Sequence, residues 1–321
     1  MKSQLLFLVF FLTGNVTFAQ ANNDAAVNKR AGAGNTYAVV VGISKYESSG
    51  IPQLEYAHKD ALFFADYLKS KSGGSVPEEN IRLLVNENAT YSAIYDALDW
   101  LLTTCHKDDL VYFYFSGHGD MENTTIYNLG FLLSYNTPRT NYINNAVRIE
   151  DLNNIANTLS VKINAKVVLI TDACHSGKLA GTDYRGTFLV GDQLRTVQNK
   201  EIRITSCAPD QLSAEDEGWG GGRGVFSYYL VNGLEGLADE DQNKIVTVSE
   251  IKNYLDSSLS ADVLLAQKAI KQIPVIKGNN GFTLAMVDNA SLASLMKKPA
   301  PMVASQGMGL LMMGVLKSFS A

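Results

Sequence analysis

A histidine and a cysteine that each follow an apolar run are the residues of this chain best suited to do chemistry. The run LVYFYF leads into SGHG, which contains His118, and the run KVVLIT leads into DACHSG, which contains Cys174. A cysteine becomes a useful nucleophile when a nearby base takes its proton. If both runs are neighbouring strands, His118 and Cys174 would meet at one edge of the sheet as base and nucleophile.

The other three histidines are less well placed for this role. His58 and His106 lie on predicted helices, where histidines are usually partly exposed surface residues. His175 follows Cys174 directly, and neighbours on an extended segment point in opposite directions. His118 is therefore the strongest candidate for the base.

The glycines beside His118 could open the backbone to a substrate. Missing Cβ atoms let a carbonyl approach closely, and the N–H groups of Gly119 and Cys174 would form a natural oxyanion hole. The same spacing also fits a tight turn whose histidine caps a strand. From the residues alone, both interpretations stay open.

The rest of the sequence predicts the sheet that would position these residues. Apolar runs alternate with segments that have apolar residues at helical spacing. The runs predict strands at 37–43, 81–85, 110–115, 166–171 and 201–207, and QIPVIKG predicts an edge strand because it contains Pro274. This alternation indicates a largely parallel sheet covered on both faces. Such sheets carry their chemistry beyond the carboxyl ends of the strands.

The ends of the chain predict export and a tail. Lys2, a short apolar run and small residues before Gln20 have the order of a secretory signal peptide, so residues 1–19 predict a periplasmic or extracellular protein. Residues 20–35 are predicted to be a disordered spacer, 36–287 the folded domain, and 288–321 a C-terminal tail with no assigned role. The apolar run is too short for a stable membrane span.

Composition excludes some functions. The net charge is −5 and no cluster of lysine and arginine occurs, which argues against nucleic-acid binding. Cys105 and Cys207 end a predicted helix and a predicted strand, where inert buried cysteines are common.

The paired motifs resemble the caspase superfamily, and within it the metacaspases and their bacterial relatives. SGHGD, the 56 positions from His118 to Cys174, and DACHSG carry the resemblance, and YAVVVGISKY, SCAPDQLSAED and GVFSYYLVNGLEG extend it. It implies an α/β three-layer sandwich with a mostly parallel six-stranded sheet and helices on both faces. It also implies a cysteine endopeptidase with Cys174 as nucleophile, His118 as general base, a thioester intermediate, and no metal in the chemistry. The amides of Gly119 and Cys174 would be the oxyanion donors.

The acid before the cysteine bears on substrate choice. Asp172 and Cys174 leave the same face of an extended strand, so the carboxylate would face the substrate and attract arginine or lysine. Caspases carry glutamine at this place, in a QAC motif. The resemblance adds Asp60, and the loop acids Asp210 and Glu215, as further substrate contacts. The expected substrates are therefore peptides or proteins with a basic P1 residue. Alternatively, Asp172 caps a turn and the other acids are solvated.

The run DEDQNKIVTVSE has the spacing of a calcium-binding EF-hand loop, although Lys244 stands where that loop needs glycine. The ligand-type residues are Asp239, Asp241, Asn243 and Glu250. The same residues also fit a capping box from Thr247 to Glu250 at the start of a helix. Ca²⁺ is therefore a candidate activator, and the chemistry requires no cofactor.

Two loops carry further predictions. The polar loop after Cys174 contains Lys178, Arg185, Arg195 and Lys200, so an enzyme with basic specificity could cleave itself there. GWGGGRG predicts a flexible loop beside the substrate, with Trp219 lining the cleft.

Two functions are alternatives to a peptidase. One is a hydrolase or transferase with the same dyad and another acyl substrate, and the other is a non-catalytic binding module with a caspase fold.

Overall fold

The computed structural model describes residues 34–122, 129–173, 201–208 and 211–297. In chain order the strands are β1 (Thr36–Gly42), β2 (Ile81–Val85), β3 (Leu110–Ser116), β4 (Gly119–Met121), β5 (Gly130–Leu133), β6 (Ala146–Arg148), β7 (Lys166–Asp172), β8 (Glu201–Thr205), β9 (Glu215–Asp216), β10 (Arg223–Gly224), β11 (Ile245–Thr247), β12 (Val275–Lys277) and β13 (Thr283–Met286). The helices are α1 (Ala57–Lys69), α2 (Tyr91–Thr104), α3 (Ile149–Asn157), α4 (Val225–Asn232), α5 (Val248–Ser260), α6 (Val263–Gln267) and α7 (Asn289–Leu295).

Six of the described strands form the central sheet, in the order β12-β8-β7-β3-β1-β2. All its neighbours pair in parallel except β12, which pairs antiparallel with β8 at one edge. The predicted fold class, a mostly parallel six-stranded sheet between two helical layers, is confirmed. Pro274 lies immediately before β12, where a residue without an N–H group is tolerated.

The central strands β1, β3 and β7 are apolar over most of their length because both faces of the sheet are covered. Val40, Tyr114 and Ile170 point to the face covered by α1, α4 and α5. Their neighbours Val41 and Phe115 point to the other face, under α2 and α3. Side chains therefore alternate between two separate cores, and residues at even positions of β3 and β7 share the α1 face.

Helix α1 packs unusually close to the end of β1 because residue 42 is glycine. A Cβ atom on Gly42 would lie 2.4 Å from Ala61 Cβ and 2.6 Å from the Ala57 carbonyl oxygen. These distances leave no room for any side chain. The first turn of α1 is thereby held at the carboxyl edge of the sheet.

The short elements were not predicted. They form a three-stranded sheet β4-β5-β6 and the two-stranded pairs β9-β10 and β11-β13. Strands of two to four residues contain too few positions to show a period of two. Strand β8 also ends at Thr205, two residues earlier than predicted.

Several predictions concern residues outside the described ranges. These are the signal peptide at 1–19, most of the spacer, Cys174 with the loop predicted for self-cleavage, Asp210, and the tail beyond 297. Within the ranges above, no helix combines the length and apolar content needed to cross a bilayer.

Candidate active site

His118 lies at the carboxyl edge of the sheet, in the two-residue turn between β3 and β4, and is fully buried. Its backbone N–H donates to the hydroxyl oxygen of Tyr46 at 2.8 Å, and the two rings lie 5.2 Å apart, tilted by 33°. Its Nε2 atom lies 2.8 Å from the carbonyl oxygen of Pro52. Both partners belong to the segment that follows β1.

The Pro52 contact defines the tautomer of the imidazole. A carbonyl oxygen can only accept a hydrogen bond, so Nε2 of His118 must carry the proton. A neutral ring of this kind has its basic lone pair on Nδ1. This is the state that a general base needs before it takes a proton.

Gly119, predicted to be an oxyanion donor, donates its N–H to another part of the chain in this structure. The N–H group of Gly119 donates to the carbonyl oxygen of Ala173 at 3.0 Å, and the residue is part of β4. The donor is therefore engaged with the chain itself and not directed at open space. An oxyanion at Gly119 would have to displace the Ala173 carbonyl.

Asp172 ends β7 and has no exposed surface. It pairs in register with Ser116 at the end of β3, and its carbonyl accepts the Gly117 N–H at 3.0 Å. Neither oxygen of its carboxylate accepts a hydrogen bond from a described residue. Buried carboxylates nearly always have hydrogen-bond partners, so this one needs a positively charged or donor group from elsewhere.

Asp60 lies beside Asp172, brought there by the first turn of α1, and is 1% exposed. Both of its carboxylate oxygens lie 3.1 Å from the N–H of Gly224, and the Ser116 hydroxyl donates to Oδ2 at 3.4 Å. Two buried acids from distant parts of the sequence thus share one place at the edge of the sheet.

Gly224 separates the two carboxylates. A Cβ atom at this position would lie 2.9 Å from Asp60 Oδ2 and 3.1 Å from Asp172 Oδ2, so the two oxygens are within about 6 Å of each other. Only glycine leaves this space open and still donates its N–H to Asp60. We call Asp60, Asp172, Ser116 and Gly224 the acid pocket.

Charge repulsion shapes the acid pocket. Burial first, and the Asp172 charge second, raise the pKa of Asp60 well above its usual value. The nearby Tyr114 has its pKa raised by burial and then by the same two acids, so its phenol stays neutral and donates to Ser227 Oγ at 3.1 Å. The pocket therefore favours the arrival of a cation.

Arg223, next to Gly224, is a cation whose charge partly offsets the effect of burial on the pKa of Asp60. Its guanidinium donates to the Lys59 carbonyl at 2.7 Å and lies 3.9 Å over the Phe63 ring. These contacts hold it against α1. Among the described residues it forms no ion pair with either acid of the pocket.

Glu215, predicted to contact the substrate, holds the start of α1 in this structure, and the substrate contact stays a prediction. It lies on strand β9, not in an irregular loop, and its two carboxylate oxygens accept the N–H groups of Glu55 and Tyr56 at 3.0 and 2.9 Å. An acid at the start of a helix stabilises its unpaired N–H groups. Glu215 thus ties the β9-β10 hairpin to α1 and so helps to place Asp60.

Trp219 was predicted to line the cleft, and this prediction is wrong. The residue is fully buried, and its indole N–H donates to Asp262 Oδ2 at 2.9 Å. The three glycines that follow have positive φ angles of 60° to 106°. The glycine-rich loop is therefore anchored by its tryptophan in the core and turns on conformations that suit glycine.

The predicted EF-hand segment forms a turn closed by its own hydrogen bonds. The N–H of Asn243 donates to Asp239 and Asp241, and Lys244 adopts a φ of 68° although it is not glycine. Carboxylate oxygens of Asp239, Asp241 and Glu250 lie within 4.8 Å of one another. Glu250 also completes the predicted capping box at the start of α5. Three of the four predicted Ca²⁺ ligands are thus brought together, and Ca²⁺ binding stays a prediction.

The other described cysteines are unsuited to nucleophilic attack. Cys105 is 6% exposed, and burial, followed by the charge of Asp109, raises the pKa of its thiol to about 12. Cys207 has no exposed surface, and its thiol donates to the Gln211 carbonyl at 3.2 Å. Both lie in the core, as predicted. Cys174, one residue beyond Ala173, lies outside the described ranges.

Sequence reasoning missed several residues of this site. Ser116 and Gly224 complete the acid pocket, and Tyr46 and Pro52 hold His118. Ser116 stands in the SGHG motif and could have been noted, because it has the same orientation as Asp172 across the sheet. The other three carry no local signal, because each acts on a residue more than 60 positions away.

Comparisons with known proteins agree with this fold. The sequence profile of the caspase domain matches residues 35–284. No curated protein matches the chain at a significant level. The solved structure of protein GSU0716 from Geobacter sulfurreducens is 17% identical with a TM-score of 0.51, covering 84% of this chain and 98% of that one. Caspase-1 from Spodoptera frugiperda is 12% identical with a TM-score of 0.48, covering 79% and 91%. The profile match spans most of the chain, which therefore belongs to the caspase-domain family of cysteine peptidases.

Proposed function

We propose that this protein is an exported cysteine endopeptidase that uses His118 and Cys174 to cleave peptide bonds after arginine or lysine. The observation that carries the proposal is the acid pocket, in which Asp172 is fully buried and accepts no hydrogen bond from a described residue. Export rests on the sequence of residues 1–19 alone.

The geometry supports a role for His118 as the base. The Nε2–H group of His118 donates a hydrogen bond to the Pro52 carbonyl. The Nδ1 atom can therefore take the proton of the Cys174 thiol as the sulfur attacks the substrate carbonyl carbon. The new C–S bond forms as the carbonyl becomes an oxyanion, which collapses and expels the amine. His118 gives its proton to that amine. Water then attacks the thioester, loses its proton to His118, and releases the acid and the thiol.

The acid pocket supports the choice of a basic P1 side chain. Asp172 ends the strand that leads, two residues later, to Cys174, so its side chain lies on the face where the residue before the cleaved bond would sit. A guanidinium could bind the Asp172 carboxylate, which accepts no hydrogen bond from a described residue, through two parallel hydrogen bonds. An aspartate at P1 would add a negative charge beside the two acids, which is strongly unfavourable in a buried site.

Cleavage of matched peptides tests the proposal. Wild-type protein should cleave peptides with Arg or Lys at P1 and leave the Asp peptide intact, and Cys174→Ala should cleave none. Each assay is run with Ca²⁺ and with a chelator. Cleavage of another acyl substrate but of no peptide would favour the dyad hydrolase, and no cleavage of any substrate would favour a binding module. The intact mass of the active protein tests self-cleavage between residues 178 and 200.

The acid pocket is expected to make substrate binding depend on pH. Asp60 keeps its proton to a higher pH than an ordinary aspartate because its pKa is raised by burial and by Asp172. A cationic side chain favours the ionised form, so KM for an Arg peptide should fall as pH rises through the raised pKa. Folding stability should change in the opposite direction: the contribution of Asp60 is full below the ordinary carboxyl pKa and is lost as pH rises through the raised one.

Steady-state kinetics and thermal melts across pH, on wild type and Asp60→Asn, measure both effects. Asparagine keeps an oxygen for the Gly224 N–H but cannot ionise. The variant should lose the dependence of KM on pH and keep the pH dependence of kcat that comes from His118 and Cys174. An unchanged KM profile in Asp60→Asn would contradict this assignment.

A further inference from the structure

The segment between β1 and α1 holds His118 from two points six residues apart. Tyr46 accepts the backbone N–H of His118 and packs against its ring, and Pro52 accepts the proton of Nε2. Position 52 is proline, so its own backbone has no N–H with which it could be anchored. Something else must keep the Pro52 carbonyl pointing at the imidazole.

The side chain of Gln53 spans this segment. Its Oε1 atom accepts the Tyr46 N–H at 2.8 Å, and its Nε2 group donates to the carbonyl oxygens of Tyr46 and Ile51, both at 3.3 Å. These bonds join Tyr46, which holds the backbone of His118, to the peptide that precedes Pro52. The peptide that carries the Pro52 carbonyl is linked directly to Gln53 by the chain. Both an acceptor and a donor are needed, and a primary amide supplies both.

Other contacts of the segment act at different places. The Leu54 N–H donates to Ser44 at the base, and the Ile51 N–H donates to Ser48 within the turn. Arg139 donates to the Gly50 carbonyl at the tip. None of these contacts joins Tyr46 to the proline, so Gln53 provides that connection among the described residues.

We propose that Gln53 is a positioning residue for the general base. By joining Tyr46 to the peptide that precedes Pro52, it holds the carbonyl that fixes the Nε2–H tautomer and the orientation of His118. The inference rests on the proposed role of His118 as base. The Gln53 side chain is exposed to solvent, so hydrogen bonds, and not packing in the core, hold it in place.

Substitutions at Gln53 can separate positioning from folding. Gln53→Met keeps the length of the side chain and removes all three hydrogen bonds, while Gln53→Glu keeps the acceptor for Tyr46 but places a negative charge against two carbonyl oxygens. Glu47→Ala is the matched control, because Glu47 is an exposed residue of the same segment whose N–H to Tyr135 survives the change. All three variants should fold, since none removes buried side-chain volume.

The expected result is a loss in kcat with little change in KM. Small displacements of a catalytic group can reduce rates by up to about 100-fold, and we expect Gln53→Met and Gln53→Glu to lower kcat about 10- to 100-fold. KM for an Arg peptide should stay within about twofold, because the acid pocket is untouched. The pH profile of kcat should shift, and nitrogen NMR should show a smaller fraction of the Nε2–H tautomer of His118. Glu47→Ala should match the wild type in all measurements.

Two outcomes separate this inference from the proposed function. Wild-type kcat and an unchanged His118 tautomer in Gln53→Met, with His118→Ala inactive, would overturn the positioning role and leave the peptidase intact. Full activity of His118→Ala would overturn the proposed base itself. If Gln53→Met does not fold, Gln53→Glu carries the same measurements, and a wild-type result there also overturns the role.

Discussion

Asp172→Asn is expected to lower kcat/KM for Arg and Lys peptides about 10²- to 10³-fold. The substrate cation would then be buried against a neutral amide, and breaking a buried charge pair costs about 3–5 kcal/mol. Each 1.4 kcal/mol corresponds to a factor of ten. Asp60, whose oxygens already accept the Gly224 N–H, can replace Asp172 only in part.

The variant is compared with the wild type on peptides that differ only at P1. Asp66→Asn is the control for net charge, because Asp66 is an exposed acid on the same helix as Asp60. It should leave kcat/KM unchanged. A loss that is equal for Arg and for uncharged P1 peptides would contradict a pocket that selects by charge.

The same substitution should stabilise the fold at neutral pH. A carboxylate buried beside a second acid, without a hydrogen-bond donor among the described residues, is costly in the absence of substrate. Removing its charge should add about 1–3 kcal/mol to the free energy of unfolding, or about 2–4 °C in Tm for each kcal/mol. Differential scanning calorimetry at several pH values measures this gain. A lower Tm would show that Asp172 has a stabilising partner.

His118→Ala is expected to lower kcat at least about 10³-fold while KM changes little. General base catalysis alone contributes about 10²- to 10⁴-fold, and activation of the thiol depends on the same imidazole. The rate at which a small alkylating reagent modifies Cys174 near neutral pH should fall in parallel, because less of the thiol is ionised.

His58→Ala is the matched control for this substitution. His58 also lies at the carboxyl edge of the sheet, where its Nδ1 contacts Ser44 Oγ at 2.8 Å. Burial, followed by the charges of Lys59 and Lys45, lowers the pKa of His58. This variant should keep near-wild-type kcat and alkylation rate. Residual activity above about a tenth in His118→Ala would exclude His118 as the base.

The pairing of the two acids depends on packing that no local pattern encodes. Asp60 lies on α1 and Asp172 at the end of β7, and they meet because Gly42 lets α1 sit close to the sheet. Helical spacing predicted α1, but it did not predict how deeply the helix packs against β1. The resemblance named both acids as substrate contacts, but the residues alone show them only as two separate acids.

Trp219 shows the reverse error, and Glu215 makes contacts that no local pattern predicts. An acid and an aromatic residue in a glycine-rich region suggest a binding surface, yet both are used by the fold itself. Their partners are the start of α1 and Asp262 at the start of α6. Since those partners are 43 to 160 positions away, only the tertiary structure could identify them.

The sequence by itself determined the alternation of strands and helices, the two-sided burial of the sheet, and the location of the His118 motif at a carboxyl end. These follow from the period of apolar residues and from parallel strands having their carboxyl ends together. Only the tertiary structure decided which groups surround the imidazole, and that no group in the described ranges donates a hydrogen bond to the Asp172 carboxylate. Side-chain contacts between distant segments depend on how closely helices approach the sheet, and that distance is set by packing at residues such as Gly42 and Gly224.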